Sequence, residues 1–498
     1  MKSTLITGLA VVNELGDVVG DSVLVEEGLI AGIGPRSRFT GMYSLEYKFD
    51  GYIIPPIVDA HLHIRSLGLN IVGIDLRGVS SIEELKGKLR SFKLQQVGLV
   101  YGRGWDQELF KERRWPTRWD IDDVVSDRPV VLLRVCGHAA VLNTKALEMT
   151  RPWELYPNLV HRQAGHVTGL VLEDAVAYVL ERLLEEVNIK PFIVQALEEL
   201  SRSGIAGVSS MSCNEVEFRA LEELASRAGM LPLRVSCYPD YEKRCCLGGG
   251  VRGWVEVAGF KLYSDGSLGA RTAYLREPYS DEPGSRGLLL ADRRAIGRAL
   301  TEARRLGLRL AIHAIGDGAL DEILEAARDT GARGFRVEHA SVTWDEQLDA
   351  LRELSAYAVV QPRFRVSDWW IDRRLGPRVR LAYRFKSMVR RGIRVALSSD
   401  APVEPFNPNE TIRAAMSECE QPSCFKEEAL DIREVLLAYT RVAAEASGGA
   451  LANSGVLEKG YPADFTVSRS NPLWDHVIEP LEVIVSGFRA SGVFKYLF

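Results

Sequence analysis

Five apolar segments, spread over most of the chain, each end on an ionisable residue and run into a loop and then a helical pattern. They are Ile57-Val58-Asp59-Ala60-His61-Leu62-His63, Phe260-Lys261-Leu262-Tyr263, Leu310-Ala311-Ile312-His313, Phe335-Arg336-Val337-Glu338-His339 and Val395-Ala396-Leu397-Ser398-Ser399-Asp400. Apolar, β-branched runs of this length read as buried strands. In a strand, residues two apart point to the same side, so His61 and His63 can face one point while Leu62 packs away from it. Strand-loop-helix units in succession argue for parallel βα connectivity.

Candidate strands number eight: Ile57 to His63, Ile205 to Ser212, Leu231 to Tyr238, Val257 to Tyr263, Arg309 to His313, Phe335 to His339, Ala356 to Gln361 and Arg394 to Ser399. Helical patterns separate most of them, as at Arg293 to Leu306 and Ala319 to Thr330. Eight is the number that a (β/α)8 TIM barrel needs, and such a barrel gathers every strand's C-terminal end on one face. The expected fold class is therefore α/β, with a barrel over residues 56–454. Residues 1–55 and 455–498 alternate apolar and polar positions as short strands do, and neither end suffices for a sandwich alone; together they predict a small composite β-sandwich in which the two termini pair. The stretch between the first two barrel strands far exceeds an ordinary βα connection. It predicts an inserted subdomain at about 70–190, with strands at Gly98 to Gly104 and Pro129 to Val135 and a helix around Leu172 to Glu186. A lid over the substrate pocket and a remote buttress are both open roles for it.

Net charge of −5 and a pI near 6.0 leave no electrostatic footprint for nucleic acid. The basic run from Arg373 to Arg394 reads as a solvated helix face with its approach loop. No run approaches the about 18 apolar residues that a membrane span requires, and the apolar N-terminus lacks the form of a signal peptide. Seven cysteines without Cys-x-x-Cys suggest a reduced, cytoplasmic protein. Cys419 and Cys424 are expected as two buried thiols, with a disulfide between them as the alternative for a thermophilic source. Lysine is scarce, 14 against 48 arginines, so Lys261 within an apolar strand stands out. Homodimerisation is compatible with a large barrel, but no surface pattern marks it.

Six strand-end residues, His61, His63, Lys261, His313, His339 and Asp400, make a metal site. Neutral imidazole and carboxylate suit zinc, with manganese, iron or cobalt also suitable, in one or two ions per chain. Two ions about 3.5–4 Å apart can share a hydroxide and polarise a carbonyl. His61, His63 and Asp400 would hold one metal, and His313 and His339 the other. Burial disfavours the Lys261 ammonium, and a neutral amine can add carbon dioxide to give a carbamate that bridges two metals. An unmodified Lys261 paired with Asp265 is the alternative. Asp400 is the natural general base and the donor of a proton to the leaving amine.

His138 in the insert is a candidate substrate contact or a structural histidine, and Trp105, Trp369 and Trp370 could line an apolar substrate pocket or simply pack. His161, His166 and His476 read as structural.

These segments resemble the metal-dependent amidohydrolase superfamily and, within it, the branch called amidohydrolase family 3, which includes N-substituted formamide deformylases. The motifs are Val58-Asp59-Ala60-His61-Leu62-His63, Lys261 through Gly269, His313-Ala314-Ile315-Gly316-Asp317, Arg336-Val337-Glu338-His339-Ala340, Ser399-Asp400-Ala401-Pro402 and Gly460-Tyr461-Pro462-Ala463-Asp464. The resemblance implies a barrel with a composite sandwich, a one- or two-metal centre, and hydrolysis of a small molecule's non-peptide carbon–nitrogen bond (amide, formamide or cyclic amide). In the insert the family's usual Asp-Gly-His reads Cys136-Gly137-His138; if that acid contacts substrate in relatives, this chain's specificity differs from theirs, so the deformylase name is not carried over. Ester, lactone or phosphotriester hydrolysis on the same metals is the second reading, and a non-catalytic scaffold of the same fold the third.

Overall fold

A computed structural model describes residues 3–92 and 98–495. The fold is mixed α/β and divides into two compact units, one of residues 1–64 and 197–498, the other of residues 65–196.

The larger unit contains eight strands that pair in parallel: β1 (Ile57–Leu62), β2 (Ile205–Met211), β3 (Arg234–Tyr238), β4 (Gly259–Tyr263), β5 (Arg309–Ala314), β6 (Arg336–His339), β7 (Tyr357–Val360) and β8 (Arg394–Leu397). One sheet joins β1, β2 and β3 with two short additional strands, and a second runs from β4 to β8 in chain order. Hydrogen bonds also connect these sheets at both ends. The Lys261 N–H donates to the Pro239 carbonyl at 2.9 Å, and the Asp400 N–H to the His61 carbonyl at 2.8 Å. All six residues of β1 are buried, as are the four of β6 and of β7. That burial on both faces is why the segments read as near-continuous apolar runs.

Local sequence sets the helices between them. In α1 (Arg293–Arg305), Asp292 caps the N-terminus by accepting the Ala295 N–H, while Ile296, Ala299, Leu300 and Ala303 form the buried stripe at helical spacing. In α2 (Asp317–Thr330), Gly331 ends the helix in the left-handed region at φ +62°, which a side chain would strain.

Both termini share one eight-stranded sheet, in which Phe465–Ser468 pairs antiparallel with Tyr52–Ile54. Ile6, Val11, Val23, Ile53, Phe465, Val467 and Ile484 build its core. Asp464, the last residue of the Gly460 to Asp464 motif, accepts two hydrogen bonds from the buried Arg234 guanidinium on β3, at 2.6 and 2.9 Å. Removing one partner of such a buried pair costs about 3–5 kcal/mol, because the other charge is left alone.

The smaller unit has its own six-stranded sheet, ordered Val160–Gln163, His166–Leu172, Ala139–Leu142, Val130–Arg134, Val100–Trp105, Ile74–Asp75, and the helix Asp174–Glu186. Its core is apolar, including Leu76, Leu85, Val100, Trp105, Val130, Leu132 and Val141.

One expectation is corrected: Cys419 and Cys424 are joined in a disulfide, their Cα atoms 5.9 Å apart. A turn between residues this close in sequence brings them within bonding reach, which composition could not show. The basic run is only partly a solvated face: Arg384 and Arg391 share Asp345 and Lys386 meets Glu434, and these three side chains are half-buried in their ion pairs. Among the described residues no helix is long and apolar enough to cross a membrane.

Candidate metal centre

Four imidazoles stand in a row at the C-terminal ends of β1, β5 and β6. Ring centroids are 5.7 Å apart for His63 and His61, 5.1 Å for His61 and His339, and 4.5 Å for His339 and His313. Each ring is fixed through one nitrogen. His61 Nδ1 lies 2.5 Å from Glu338 Oε2, and a carboxylate only accepts, so Nδ1 carries the proton and Nε2 presents a lone pair. His63 Nδ1 donates to the Met211 carbonyl at 3.0 Å, and His339 Nδ1 to Gln361 Oε1 at 2.7 Å, which leaves both Nε2 atoms bare. The Gln361 amide is oriented by donating its own N–H to Ser398 Oγ at 2.9 Å. His313 is held the other way round: its Nε2 donates to the Gly266 carbonyl at 2.9 Å, so Nδ1 is the free atom.

Burial, together with the neighbouring Lys261 charge, holds the His61 imidazole well below its ordinary pKa, and burial with the adjacent histidines and Lys261 does the same for His313 and His339. These rings are therefore neutral and basic at their free nitrogens. Asp400 Oδ1 faces two of them, 3.2 Å from His63 Nε2 and 3.4 Å from His61 Nε2, and has no hydrogen-bond donor of its own. The Asp400 carboxyl is held below its ordinary value although burial works to raise it, with the Lys261 charge among the groups that favour the ionised form.

Lone pairs that converge without a proton between them repel, and a cation removes the conflict. Donor atoms of His61, His339 and Asp400 lie within 4.8 Å of one another, a spacing compatible with one ion. Nitrogen and carboxylate donors in this combination fit a divalent transition metal. The backbone is bent to present them: His339 at φ +74° and Asp400 at φ +60° occupy the left-handed region, which costs a side-chain-bearing residue roughly 1–2 kcal/mol each.

Lys261 is buried at 1 % exposure, and that burial brings its ammonium down to about 8. The alternative partner Asp265 is engaged elsewhere, accepting the N–H groups of Tyr274, Ile315 and Gly316 at 2.9, 3.1 and 2.8 Å. It fastens the β4 and β5 loops to each other rather than neutralising the lysine.

Three supporting groups escape a reading of ligand types alone. Arg336 and Glu338 lie two apart on β6, fully buried, with Arg336 Nε 2.7 Å from Glu338 Oε1 and Nη2 3.0 Å from Oε2. Arg336 Nη2 also donates to the Ala60 carbonyl at 2.6 Å, so one guanidinium ties β6 to β1 and aims Glu338 at His61. Asp59 Oδ1 accepts from the His61 and Ser399 N–H groups at 3.2 and 3.1 Å, which links the first strand to the last. Polar residues on alternate positions of a strand otherwise apolar were the available signal.

The tryptophans and His138 differ in their surroundings. Trp105 is fully buried in the core of the smaller unit, its indole N–H donating to the Leu132 carbonyl at 2.8 Å, and it presents no surface to a substrate. A ring that large fills a core position more effectively than any neighbour could. His138 is exposed, in the smaller unit, with Nδ1 2.9 Å from Glu173 Oε2. Trp369 is exposed with the Arg373 guanidinium 5.3 Å from its ring, and Trp370 has Arg374 at 5.1 Å.

Known proteins share the plan. A model of the amidohydrolase family matches residues 50–487. The chain is 29% identical to the amidohydrolase YtcJ of Bacillus subtilis (strain 168), over 94% of this chain and 95% of that protein. It is 23% identical to the N-substituted formamide deformylase of Arthrobacter pascens, covering 95% and 94% respectively. A crystal structure of an uncharacterized metal-dependent hydrolase from Pyrococcus horikoshii OT3 is similar at a TM-score of 0.84 and 32% identity, covering 95% of this chain and 98% of that one. With a family match over nearly its whole length, the chain belongs to the amidohydrolase family and is a hydrolase.

Proposed function

We propose that this hydrolase cleaves a non-peptide carbon–nitrogen bond in a small molecule, an amide, formamide or cyclic amide, at a zinc centre on the open face of a (β/α)8 barrel. The observation that carries the reading is Asp400 Oδ1, ionised, without a donor, and facing the bare Nε2 atoms of His61 and His63. His61, His63, Asp400, His339 and His313 would hold one or two ions. When bound, the metal supplies Lewis acidity toward a carbonyl and toward water.

The chain's own groups do the rest. Glu338, the Met211 carbonyl and Gln361 keep three imidazoles in the tautomer that leaves Nε2 free. Asp400 takes a proton from the attacking water at its carboxylate and returns it to the departing nitrogen, which must be protonated to leave. Lys261, with an ammonium brought to about 8, has a neutral fraction that can react. Its Nζ forms a bond to the carbon of CO2, one C=O electron pair moves to oxygen, and the nitrogen releases a proton, giving a carbamate whose oxygens would be further metal donors. We place the activity in the cytoplasm, a reading supported by five free cysteines beside the single local Cys419–Cys424 disulfide. Similarity to the formamide deformylase supports N-acyl amines as the first substrates to try.

The test is removal of metal with a chelator, reconstitution with zinc, and comparison of N-acyl amines with esters of the same acyl group. Activity should return with the metal and favour the amides, and Asp400→Asn should lower kcat by about 10²–10⁴-fold with the metal retained. A strong preference for esters, or full activity in Asp400→Asn, would overturn the proposal.

A further inference from the structure

Asp240 follows β3 and faces the same interior as Lys261. The two residues form a parallel bridge, flanked by the Lys261 N–H to the Pro239 carbonyl at 2.9 Å and the Tyr241 N–H to the Lys261 carbonyl at 2.8 Å. Bridged residues of parallel strands project to one side of the sheet, and the side chain of Lys261 is buried on that side. Asp240 Oδ1 is itself buried, and among the described residues it meets no hydrogen-bond donor.

Other carboxylates around Lys261 are spoken for. Glu338 is held by Arg336 and His61, and Asp400 belongs to the metal donor set. Asp240 Oδ1 meets no donor among the described residues, and its charge acts on both the Lys261 ammonium and the half-exposed Tyr263, whose hydroxyl lies 3.0 Å from Ser212 Oγ at the end of β2. A buried carboxylate oxygen without a donor is unfavourable until something brings one. A cationic nitrogen satisfies it better than a neutral group, since charge-assisted hydrogen bonds in a poorly solvated site are the stronger kind.

We propose, resting on the hydrolase reading above, that Asp240 sets specificity by receiving an ammonium group of the substrate at Oδ1. The preferred substrates are then N-acyl amines that carry a second, positively charged nitrogen.

The experiment compares N-acetyl-1,4-diaminobutane with N-butylacetamide, which differ by that nitrogen. Binding is measured by calorimetry on the zinc-reconstituted full chain carrying Asp400→Asn, so that neither ligand is consumed. The diamine derivative should bind about tenfold more tightly or better. Adding Asp240→Asn should bring the two ligands within about twofold of each other. Zinc content and thermal midpoint of the double variant report that it is folded. Equal affinities before Asp240 is changed, or a preference that survives the change, would overturn the assignment. Hydrolysis of N-butylacetamide by the unmodified enzyme reports separately. If it is hydrolysed and the affinities are equal, Asp240 alone loses its role; if neither ligand is hydrolysed and the preference is present, the amide-cleavage reading falls while Asp240 keeps its cation.

Discussion

Arg336 and Trp105 are both fully buried, one among the parallel strands of the larger unit and the other in the sheet of the smaller. Arg336 survives there because Glu338 and the Ala60 carbonyl take its N–H groups, with the Tyr238 ring 4.6 Å beneath it. Trp105 needs one hydrogen bond, and Phe110 and Trp115 surround the rest of it with apolar surface. The first interior is directional: each polar group depends on a particular partner on another strand, and in return it holds imidazoles in one tautomer. The second is non-directional and depends on volume. Chemistry concentrates in the first kind of interior, and the second contributes stability by hydrophobic burial and dispersion.

That contrast can be broken most sharply by Trp105→Ala, which should lower the unfolding free energy by about 3–5 kcal/mol in a urea titration. Zinc bound per chain should stay unchanged; a stability loss below about 1 kcal/mol would mean that the smaller core does not rely on volume.

A smaller effect distinguishes the two interiors by pH. Burial pushes the Asp368 carboxyl up from 3.8 to about 6, with the Tyr383 hydroxyl donating to it. The folded chain then keeps a proton that the unfolded chain releases, so stability is present below the unfolded value and falls as pH rises from about 4 to about 6. The fall is at most about 3 kcal/mol for this group. Asp59 and Asp265, pushed by burial to about 7, slope the same way. Asp368→Asn is uncharged throughout and should show a flatter urea midpoint between pH 4 and 6.5 than the parent; identical slopes would remove Asp368 from the balance.

The smallest expected change sharpens the comparison at one hydrogen bond. Glu338→Gln keeps the shape of the side chain but weakens its hold on His61 Nδ1, and zinc affinity should drop about 10–100-fold in competition with a fluorescent chelator. Unchanged affinity would reduce Glu338 to a counter-ion for Arg336.

Much of this architecture was legible beforehand. The apolar runs at Ile57, Ile205, Arg309, Phe335, Ala356 and Arg394 are found as strands within a residue or two of their expected ends, because a strand buried on both faces has to be apolar throughout. Donor types could be read for the same reason: an imidazole or carboxylate at the end of such a run has few structural uses. Trp105 shows where this fails. Its type suits a pocket wall and a core equally, and only its neighbours decide.

By itself the sequence determined which segments are strands, which residues stand at their ends, and that these end residues carry nitrogen and carboxylate donors. All of this follows from local periodicity and side-chain chemistry. Only the tertiary structure decided which ring nitrogen of each histidine is free, that Asp265 is taken up by backbone N–H groups, that Cys419 meets Cys424, and that Asp240 is left with an unanswered oxygen. Each of those facts is a matter of which partner arrives from a distant part of the chain. Hydrogen bonding is short-ranged and directional, so the partner exists only once the strands have been set side by side.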